Sequence, residues 1–390
     1  MKKILFALMV VCSTARSQNI ESKITAAEIV TIHSNILNED RKLYIYKPAE
    51  DNIYAPAANP VIYLLDGDVQ TRMVAGQVSY LSESYPVIPK MIVVGIGNTD
   101  RTRDLTPNHS IIGFDGKPDT SANSFGSHSG GGEKFMQFIQ QEVMPYVEKN
   151  YHPAPYKIFS GHSLGGLMMF YSLLAHPDMF NAYIAISPSL FWDKQWTLQQ
   201  AKEKWKAGTS LNKILFFSDG NEGGQFHTDA VSMDSLLKKN KLRNLKFKYV
   251  YYPAESHLSE PVKAFYDGIR FVYPDWYPPQ TNNPVPLTYK YFEKFYDSLS
   301  KEYGYTIKPP EEAINNYGYN LVQLKKIDEA LVFFKKNVEN YPQSYNTYDS
   351  YGEALMIKGD KANSIINYKK SLELNPKNEN AKEKLKMLEQ

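Results

Sequence analysis

Ser163 lies at the centre of Gly161-His162-Ser163-Leu164-Gly165, between an apolar run and an apolar segment compatible with a helix. This Gly-x-Ser-x-Gly pattern predicts a sharp turn between a strand and a helix, too tightly packed for a β-carbon at Gly161 or Gly165. Such a turn exposes the serine hydroxyl at a helix N-terminus, where negative charge is stabilised. We therefore expect Ser163 to be a covalent nucleophile.

A serine hydroxyl needs a neighbouring base to take its proton. Three histidines follow Ser163 in the sequence and are candidates for this base: His176, His227 and His257. His176 ends the helix after the nucleophile, beside a proline, and His227 would need an unusual bend to reach the serine. His257 lies in a loop directly after the last strand, where folds with this turn carry their base. We expect His257 to be the general base.

The base needs an orienting acid, which comes between nucleophile and histidine in chain order. Asp219 and Glu222 both follow the strand that ends at Ser218. Asp219 leaves the strand directly and could equally cap a turn, whereas Glu222 lies farther out, nearer an arriving histidine. We favour Glu222 and leave Asp219 open.

The oxyanion of an acyl-transfer reaction needs two backbone donors. The N–H of Leu164, just after the nucleophile, is the expected first donor. The second should come from the loop after an early strand, where Gly67 allows close approach, and we assign it to the N–H of Asp68.

Strands and helices alternate along the chain around these residues. Unbroken apolar runs at 61–65, 91–96, 158–159, 182–187 and 213–218 are typical of parallel strands covered on both faces, and residues 133–149 have helical spacing. Residues 22–47 predict an antiparallel strand pair. The pattern predicts a doubly wound, mostly parallel sheet with its chemistry at the carboxyl ends of the strands. The long polar loop at 103–131 is expected to contribute to the site.

The C-terminal part has a different organisation. Prolines cluster at 274–286 and indicate a stiff linker. Tyr317-Gly318 is repeated as Tyr351-Gly352, and Tyr341-Pro342 corresponds to Asn375-Pro376, always 34 residues apart, the period of tetratricopeptide repeats. We expect two such repeats, with a closing helix, to pack on the preceding helix or on the sheet, and to be available for a protein partner.

The N-terminus predicts export. Two lysines precede an apolar run at 4–12, and Ala15-Arg16-Ser17 fits a cleavage site, so residues 1–17 resemble a signal peptide. Cys12 is the only cysteine and lies inside it, which excludes disulfides and thiol chemistry from the mature chain. We expect a secreted or periplasmic protein.

The composition also argues against several other functions. The net charge of +2 provides no general electrostatic basis for binding nucleic acid or membranes. No later segment of the sequence suits a membrane span, and no His or acidic cluster has metal-ligand spacing.

Four motifs together resemble the putative-esterase family of α/β-hydrolases: Leu64–Asp68, Arg101–Pro107, Gly161–Gly166 and Glu255–His257. The family includes siderophore, feruloyl and acetyl-xylan esterases and mycolyl transferases, and the second motif is most like the siderophore-esterase branch. The resemblance covers about residues 25–275 and implies an α/β-hydrolase fold with Ser163 and His257 in catalysis and no cofactor. The resemblance leaves the identity of the acid open, since some siderophore esterases work with a Ser-His pair and no acid.

These observations predict residues 18–275 as an esterase domain, 276–310 as a linker and helix, and 311–390 as two repeats plus a closing helix. Arg103 and Trp192 follow strands at the active edge and suit a flat, anionic or electron-rich acyl group, as in siderophore or feruloyl esters. The alternative is that they are structural. A carbohydrate acetyl esterase, an acyltransferase and a catalytically silent scaffold that binds partners through its repeats are the other functions to be tested.

Overall fold

The computed structural model describes residues 26–49, 58–84, 86–113, 116–121, 123–276 and 288–390. The signal peptide predicted at residues 1–17 and most of the proline-rich linker lie outside the described residues. Within them, one sheet of eight strands has the order β1-β2-β4-β3-β5-β6-β7-β8. The strands are β1 (Glu28–Ser34), β2 (Glu39–Tyr46), β3 (Val61–Leu64), β4 (Ile92–Ile96), β5 (Lys157–His162), β6 (Ala182–Ile186), β7 (Ser210–Gly220) and β8 (Arg243–Tyr252).

The strands β4, β3, β5, β6, β7 and β8 lie in this order across the sheet and are all parallel. Strands β1 and β2 form an antiparallel pair at one edge, as the alternating pattern predicts, and β2 is also antiparallel to β4. Strands β3, β4 and β6 are buried along their whole length, which explains their unbroken apolar sequences. The prediction of a mostly parallel, doubly wound α/β-hydrolase sheet is confirmed.

Helices cover both faces of the sheet and begin at its carboxyl edge. They are α1 (Gly67–Ser79), α2 (Arg101–Asp104), α3 (Gly132–Phe138), α4 (Met144–Tyr151), α5 (Leu164–Ala175), α6 (Trp192–Lys204), α7 (Gly224–Asn240) and α8 (Glu260–Val272). A π-helical segment, Ile139–Val143, joins α3 to α4, so the helix predicted at 133–149 forms with a π-turn inside it. The loop at 105–131 contains no helix or strand in its described residues and folds over the start of α6.

The C-terminal region is helical, with α9 (Tyr289–Tyr303), α10 (Glu311–Gln323), α11 (Ile327–Asn340), α12 (Tyr345–Lys358), α13 (Lys361–Leu374) and α14 (Glu379–Glu389). The 34-residue period recurs in the packing. A β-carbon at Gly318 would lie 2.6 Å from the Phe334 ring, and one at Gly352 would lie 3.3 Å from the Tyr368 ring. The repeat glycines therefore let α10 and α12 pack closely against the aromatic side chains of α11 and α13.

The helical region docks on the sheet domain through α9. The ring centroid of Tyr303 lies 5.2 Å from that of Tyr156 and 4.8 Å from that of Tyr273, and its hydroxyl donates to Val272 O at 3.0 Å. Tyr156 precedes β5, whereas Ser163 follows it, about 20 Å away at ~3.3 Å per residue. The repeats are therefore attached at the end of the sheet opposite Ser163.

Candidate active site

The turn that carries Ser163 is strained. Ser163 has φ 61° and ψ −117°, a conformation that costs a residue with a side chain on the order of 1–3 kcal/mol. Its N–H donates to Ile186 O at 2.9 Å, and its carbonyl accepts from Ser189 N–H at 3.1 Å, so the end of β6 fixes the turn. The strain is maintained by this surrounding structure, as expected for a site that must expose one hydroxyl.

The glycines around Ser163 are needed at positions that differ from the expectation. A β-carbon at Gly161 would lie 2.7 Å from the carbonyl carbon of Gly165, which explains Gly161. A β-carbon at Gly165 would have only ordinary contacts, the nearest at 3.4 Å. The close approach on the helix side is instead at Gly166, where a β-carbon would lie 2.9 Å from the Cα of Pro188.

His257 and Glu222 form a pair beside this turn. His257 Nδ1 lies 2.8 Å from Glu222 Oε2, and the Glu222 side chain is only 5% exposed. Burial by itself would raise the pKa of Glu222, but the hydrogen bonds from His257 and Ser187 outweigh it and lower the pKa. Glu222 is thus ionised at neutral pH and holds the His257 proton on Nδ1, which leaves Nε2 free to accept a proton.

Asp219 is paired with a different histidine. Its carboxylate accepts from His227 Nδ1 at 2.8 Å and from the Tyr249 hydroxyl at 2.5 Å. Burial raises the pKa of Asp219 in spite of these bonds. Of the two acids that the sequence left open, Glu222 is the one in contact with His257. His176, the third histidine considered, bonds Glu133 at 2.9 Å and takes no part in this cluster.

The hydrogen bond expected between Ser163 and His257 is not formed in this conformation. The Ser163 hydroxyl has Ser189 Oγ as its partner at 3.3 Å, and no bond joins it to His257 in the described part of the chain. Nucleophile–base bonds are often long or misaligned without substrate and tighten when it binds.

His162, the residue before Ser163, contacts the His257 ring directly. Its ring centroid lies 4.3 Å from that of His257, with the planes tilted by 43°. Burial, together with the nearby His257, lowers the pKa of His162 to about 4, so this ring is neutral at pH 7. Sequence reasoning missed this neighbour, although its place next to Ser163 in the motif was the available signal.

The two proposed oxyanion donors lie in the first turns of helices at the carboxyl edge. Leu164 begins α5 and Asp68 is the second residue of α1. First-turn N–H groups have no partner within their helix, and neither of these donates to a protein group in the described residues. The Asp68 carboxylate accepts from Asn98 Nδ2 at 3.2 Å.

A short ion pair holds the α1 turn against the nucleophile turn. Arg101 Nε and Nη2 donate to the two oxygens of Asp66 at 2.6 and 2.9 Å, and Nη2 reaches His162 O at 3.3 Å. Asp66 itself has a left-handed φ of 53°. Arg101 therefore joins the turn before α1 to the backbone of His162, the residue before Ser163.

Arg103, which the sequence predicts to bind substrate, is held by acidic side chains. Its guanidinium donates to Asp104 at 2.7 Å and to Glu39 at 2.7 and 3.1 Å. Arg103 therefore lies in an ion-pair network between β2 and α2. These contacts favour the structural alternative that the sequence left open.

Trp192, the second residue predicted to bind substrate, is almost completely buried. It is 2% exposed, its Nε1 donates to Asn108 O at 3.3 Å, and its ring meets Phe125 with centroids 6.2 Å apart. It anchors the loop at 105–131 to α6 and lines a small cavity with Phe125 and Phe191.

A different pair of aromatic residues lies beside the base. Phe226 is 5.1 Å from His257 between ring centroids, and Phe191 is 4.8 Å from Phe226. Both are half-buried. Phe226 was missed because it lies at the start of α7, and no local pattern shows that this helix begins next to His257.

Among the described residues, no cluster of three or more histidine, cysteine or acidic side chains could hold a metal ion. A search of the same residues finds no helix long and apolar enough to cross a bilayer.

The family model described as Putative esterase matches residues 34–256, and a tetratricopeptide-repeat model matches residues 345–378. The chain is 35% identical over 175 residues to the ferri-bacillibactin esterase BesA of Bacillus subtilis, which covers 42% of this chain and 59% of that protein. It is 29% identical over 199 residues to a siderophore enterobactin esterase of Emericella nidulans, covering 46% of this chain and 63% of that protein. Both curated relatives are thus matched over less than two thirds of their length.

Among solved structures, an IroE-like serine hydrolase from Shewanella oneidensis superimposes with a TM-score of 0.71 at 27% identity. The match covers 80% of this chain and 99% of the other. The likeness therefore extends through the whole of a serine hydrolase and supports the assignment of the sheet and its carboxyl edge.

Proposed function

The chain belongs to the Putative esterase family, whose model matches more than half of it, and from this premise we propose that it is a serine carboxylic-ester hydrolase. The contact between His257 and Glu222 beside the strained Ser163 is the observation that supports this most strongly. An inactive scaffold would have no reason to retain backbone strain at Ser163.

In the proposed reaction, His257 Nε2 takes the proton of Ser163 as Oγ attacks the ester carbonyl. The resulting oxyanion is stabilised by the N–H groups of Leu164 and Asp68. The intermediate collapses when His257 gives its proton to the departing alcohol, which leaves an acyl group on Ser163. Water then attacks the acyl-enzyme, His257 takes the water's proton and returns it to Ser163 Oγ, and the carboxylic acid leaves.

Glu222 supports each of these proton transfers. His257 becomes an imidazolium twice per turnover, and an ionised carboxylate 2.8 Å from Nδ1 stabilises that charge in a site largely shielded from water. Neutral His162, in contact with the His257 ring, adds no competing positive charge.

We propose esters with a bulky, aromatic acyl group as the substrates, of the siderophore or feruloyl type. Phe226 and Phe191 form an apolar wall beside His257 and replace Trp192 in the role expected from the sequence. The names of the relatives, which are siderophore esterases, favour the same class. A carbohydrate acetyl ester would gain little from this wall.

We also propose that the protein is exported after cleavage near Ser17, because two lysines precede the apolar run at 4–12. The repeats, docked at the opposite end of the sheet, are available to a protein partner without blocking the site. N-terminal sequencing of the protein from its source cells should begin near Gln18.

A substrate panel tests the proposed specificity. Acetyl, butyryl, feruloyl and catecholate-siderophore esters are compared by kcat/KM, with product analysis to separate hydrolysis from acyl transfer. Phe226→Leu should lower kcat/KM for the aromatic esters by about tenfold and leave the acetyl ester within about twofold. Phe295→Leu, which alters a half-buried phenylalanine of α9 at the opposite end of the sheet, is the matched control. A preference for acetyl esters would instead favour a carbohydrate deacetylase.

A further inference from the structure

A second buried carboxyl group lies behind the Glu222–His257 pair. Glu260 is the first residue of α8 and is fully buried. Its Oε2 contacts the hydroxyl of Ser187, and the same hydroxyl contacts Oε1 of Glu222. Ser187 follows β6, is itself fully buried and has a left-handed φ of 40°. The order of contacts is thus Glu260, Ser187, Glu222 and His257.

The number of protons shared among these hydrogen-bonded side chains determines the net charge of the group. The Ser187 hydroxyl has one proton but contacts two carboxyl oxygens. If both acids were ionised, one of the two oxygen–oxygen contacts would contain no proton and would be repulsive. A buried contact of this kind is stable only if one carboxyl is protonated and donates to Ser187 Oγ, which then donates to the other.

The surroundings decide which acid holds the proton. Glu222 accepts from His257 and Ser187, and the N–H of Gly220 lies 3.4 Å from its Oε1. Among the described residues, Glu260 Oε1 has no hydrogen bond of normal geometry, and the neighbouring Ser218 hydroxyl is a weak donor to this carboxyl group at most. Donors stabilise the ionised form of a carboxyl group, so Glu222 is the carboxylate and Glu260 is the neutral acid.

The charged and titratable neighbours of Glu260 act in the same direction. Burial, with added repulsion from Glu222 and Asp219, raises the pKa of Glu260 to about 7. Tyr249 and Tyr252, which face it from β8, have raised pKa values and remain neutral phenols. The N-terminus of α8 favours the ionised form by up to about 1 kcal/mol at most sites, too little to cancel the burial.

We infer that Glu260 is a positioning residue, which as a neutral acid donates to Ser187 and thereby holds Glu222 against His257. The inference rests on the proposed esterase function for its effect on rate. Ionisation of Glu260 removes the proton from its contact with Ser187, and the repulsion that results displaces Glu222 from its alignment. Activity should therefore fall as the pH rises above neutral.

Glutamine at position 260 mimics the neutral acid, because its amide donates to Ser187 Oγ and does not titrate. Glu260→Gln should retain kcat within about threefold at pH 6 and keep it at pH 8.5, where the wild-type rate has fallen. Glu260→Leu fills similar volume without a donor and should lower kcat at both pH values by about tenfold or more, with KM nearly unchanged. Thermal unfolding of each variant shows whether it folds.

Two kinetic results would overturn the inference. One is a Gln variant as inactive as the Leu variant, which would mean that the ionised form is required. The other is a wild-type alkaline limb that persists unchanged in Glu260→Gln. Ser187→Ala, which interrupts the chain, should reproduce the Leu phenotype.

Proton NMR of the full-length protein tests the inference without any ester. A His257 Nδ1–H that donates to Glu222 gives a far-downfield resonance, and in the wild type this resonance should weaken as the pH rises from 6 to 8.5. Glu260→Gln should keep the resonance at both pH values, and Glu260→Leu should lose it at both. A resonance that behaves identically in all three proteins would contradict the role of Glu260. If no ester is turned over but the resonance differs in this way, the proposed function fails and the inferred link between Glu260 and Glu222 stands.

Discussion

Replacing Glu222 by glutamine tests the pairing on which the proposed mechanism depends. The carboxylate oxygen 2.8 Å from His257 Nδ1 accepts a hydrogen bond from Nδ1–H and stabilises the imidazolium. In Glu222→Gln, an amide NH2 facing Nδ1 favours the tautomer with its proton on Nε2, which cannot accept the proton of Ser163. The loss of charge and the wrong tautomer together should lower kcat about a thousandfold, equivalent to about 4 kcal/mol in activation free energy.

Asp219→Asn is the matched control for this change. Both carboxyl side chains are shielded from solvent, Asp219 at the end of β7 and Glu222 just after it, and both bond a histidine. Asp219 bonds His227 and not His257. Asp219→Asn should leave kcat on a 4-nitrophenyl ester within about threefold. A larger loss of kcat in Asp219→Asn than in Glu222→Gln would show that Asp219, and not Glu222, is the acid. If neither change slows turnover by more than a few-fold, the site works as a Ser-His pair without an acid.

Three further predictions concern the base, the repeats and pH. His257→Ala should lower kcat at least about a thousandfold with the fold intact by circular dichroism, and an active variant would eliminate His257 as the base. A chain ending at Tyr273 should keep kcat/KM on a small ester within about threefold, because the repeats dock away from Ser163. It should unfold at a lower temperature, because Tyr273 loses its contact with Tyr303. A folded but inactive truncation would show that the repeats shape the site. The hydrogen bond from Arg103 lowers the pKa of Glu39 to about 2, so this pair stabilises the fold above pH 4.5 and ceases to do so as the pH falls towards 2. Glu39→Gln should therefore lower Tm at pH 7, have about half that effect at pH 3 and very little effect near pH 2, and an effect independent of pH would contradict this.

The parts of the site that follow local rules could be predicted from the sequence. The turn at Ser163 is encoded by a few neighbouring residues, and His257 and Glu222 follow the ends of strands whose order the apolar pattern indicates. The fold class, the antiparallel pair and the 34-residue repeats depend on similarly local periodicities. The fold class and the repeats are confirmed. Glu222 and His257 come together beside the Ser163 turn because the carboxyl ends of parallel strands meet at one edge of the sheet.

Contacts between distant segments could not be predicted in the same way. Arg103 was expected at the substrate, but Glu39, which occupies its guanidinium, is 64 residues away in sequence. Trp192 follows an active-edge strand, yet a loop more than 80 residues earlier covers it. Glu260 has the sequence context of an ordinary first-turn acid on a helix, and only the packing of α8 beneath Ser187 gives it a place behind Glu222.

Covalent labelling of the nucleophile tests the central claim most directly. An organophosphate added to the mature protein should abolish ester turnover in proportion to labelling, and peptide mass spectrometry should find one adduct, on Ser163. Ser163→Ala should be inactive and unlabelled. An adduct on another residue that accompanies the loss of activity, or turnover by Ser163→Ala, would contradict a serine esterase acting through this turn.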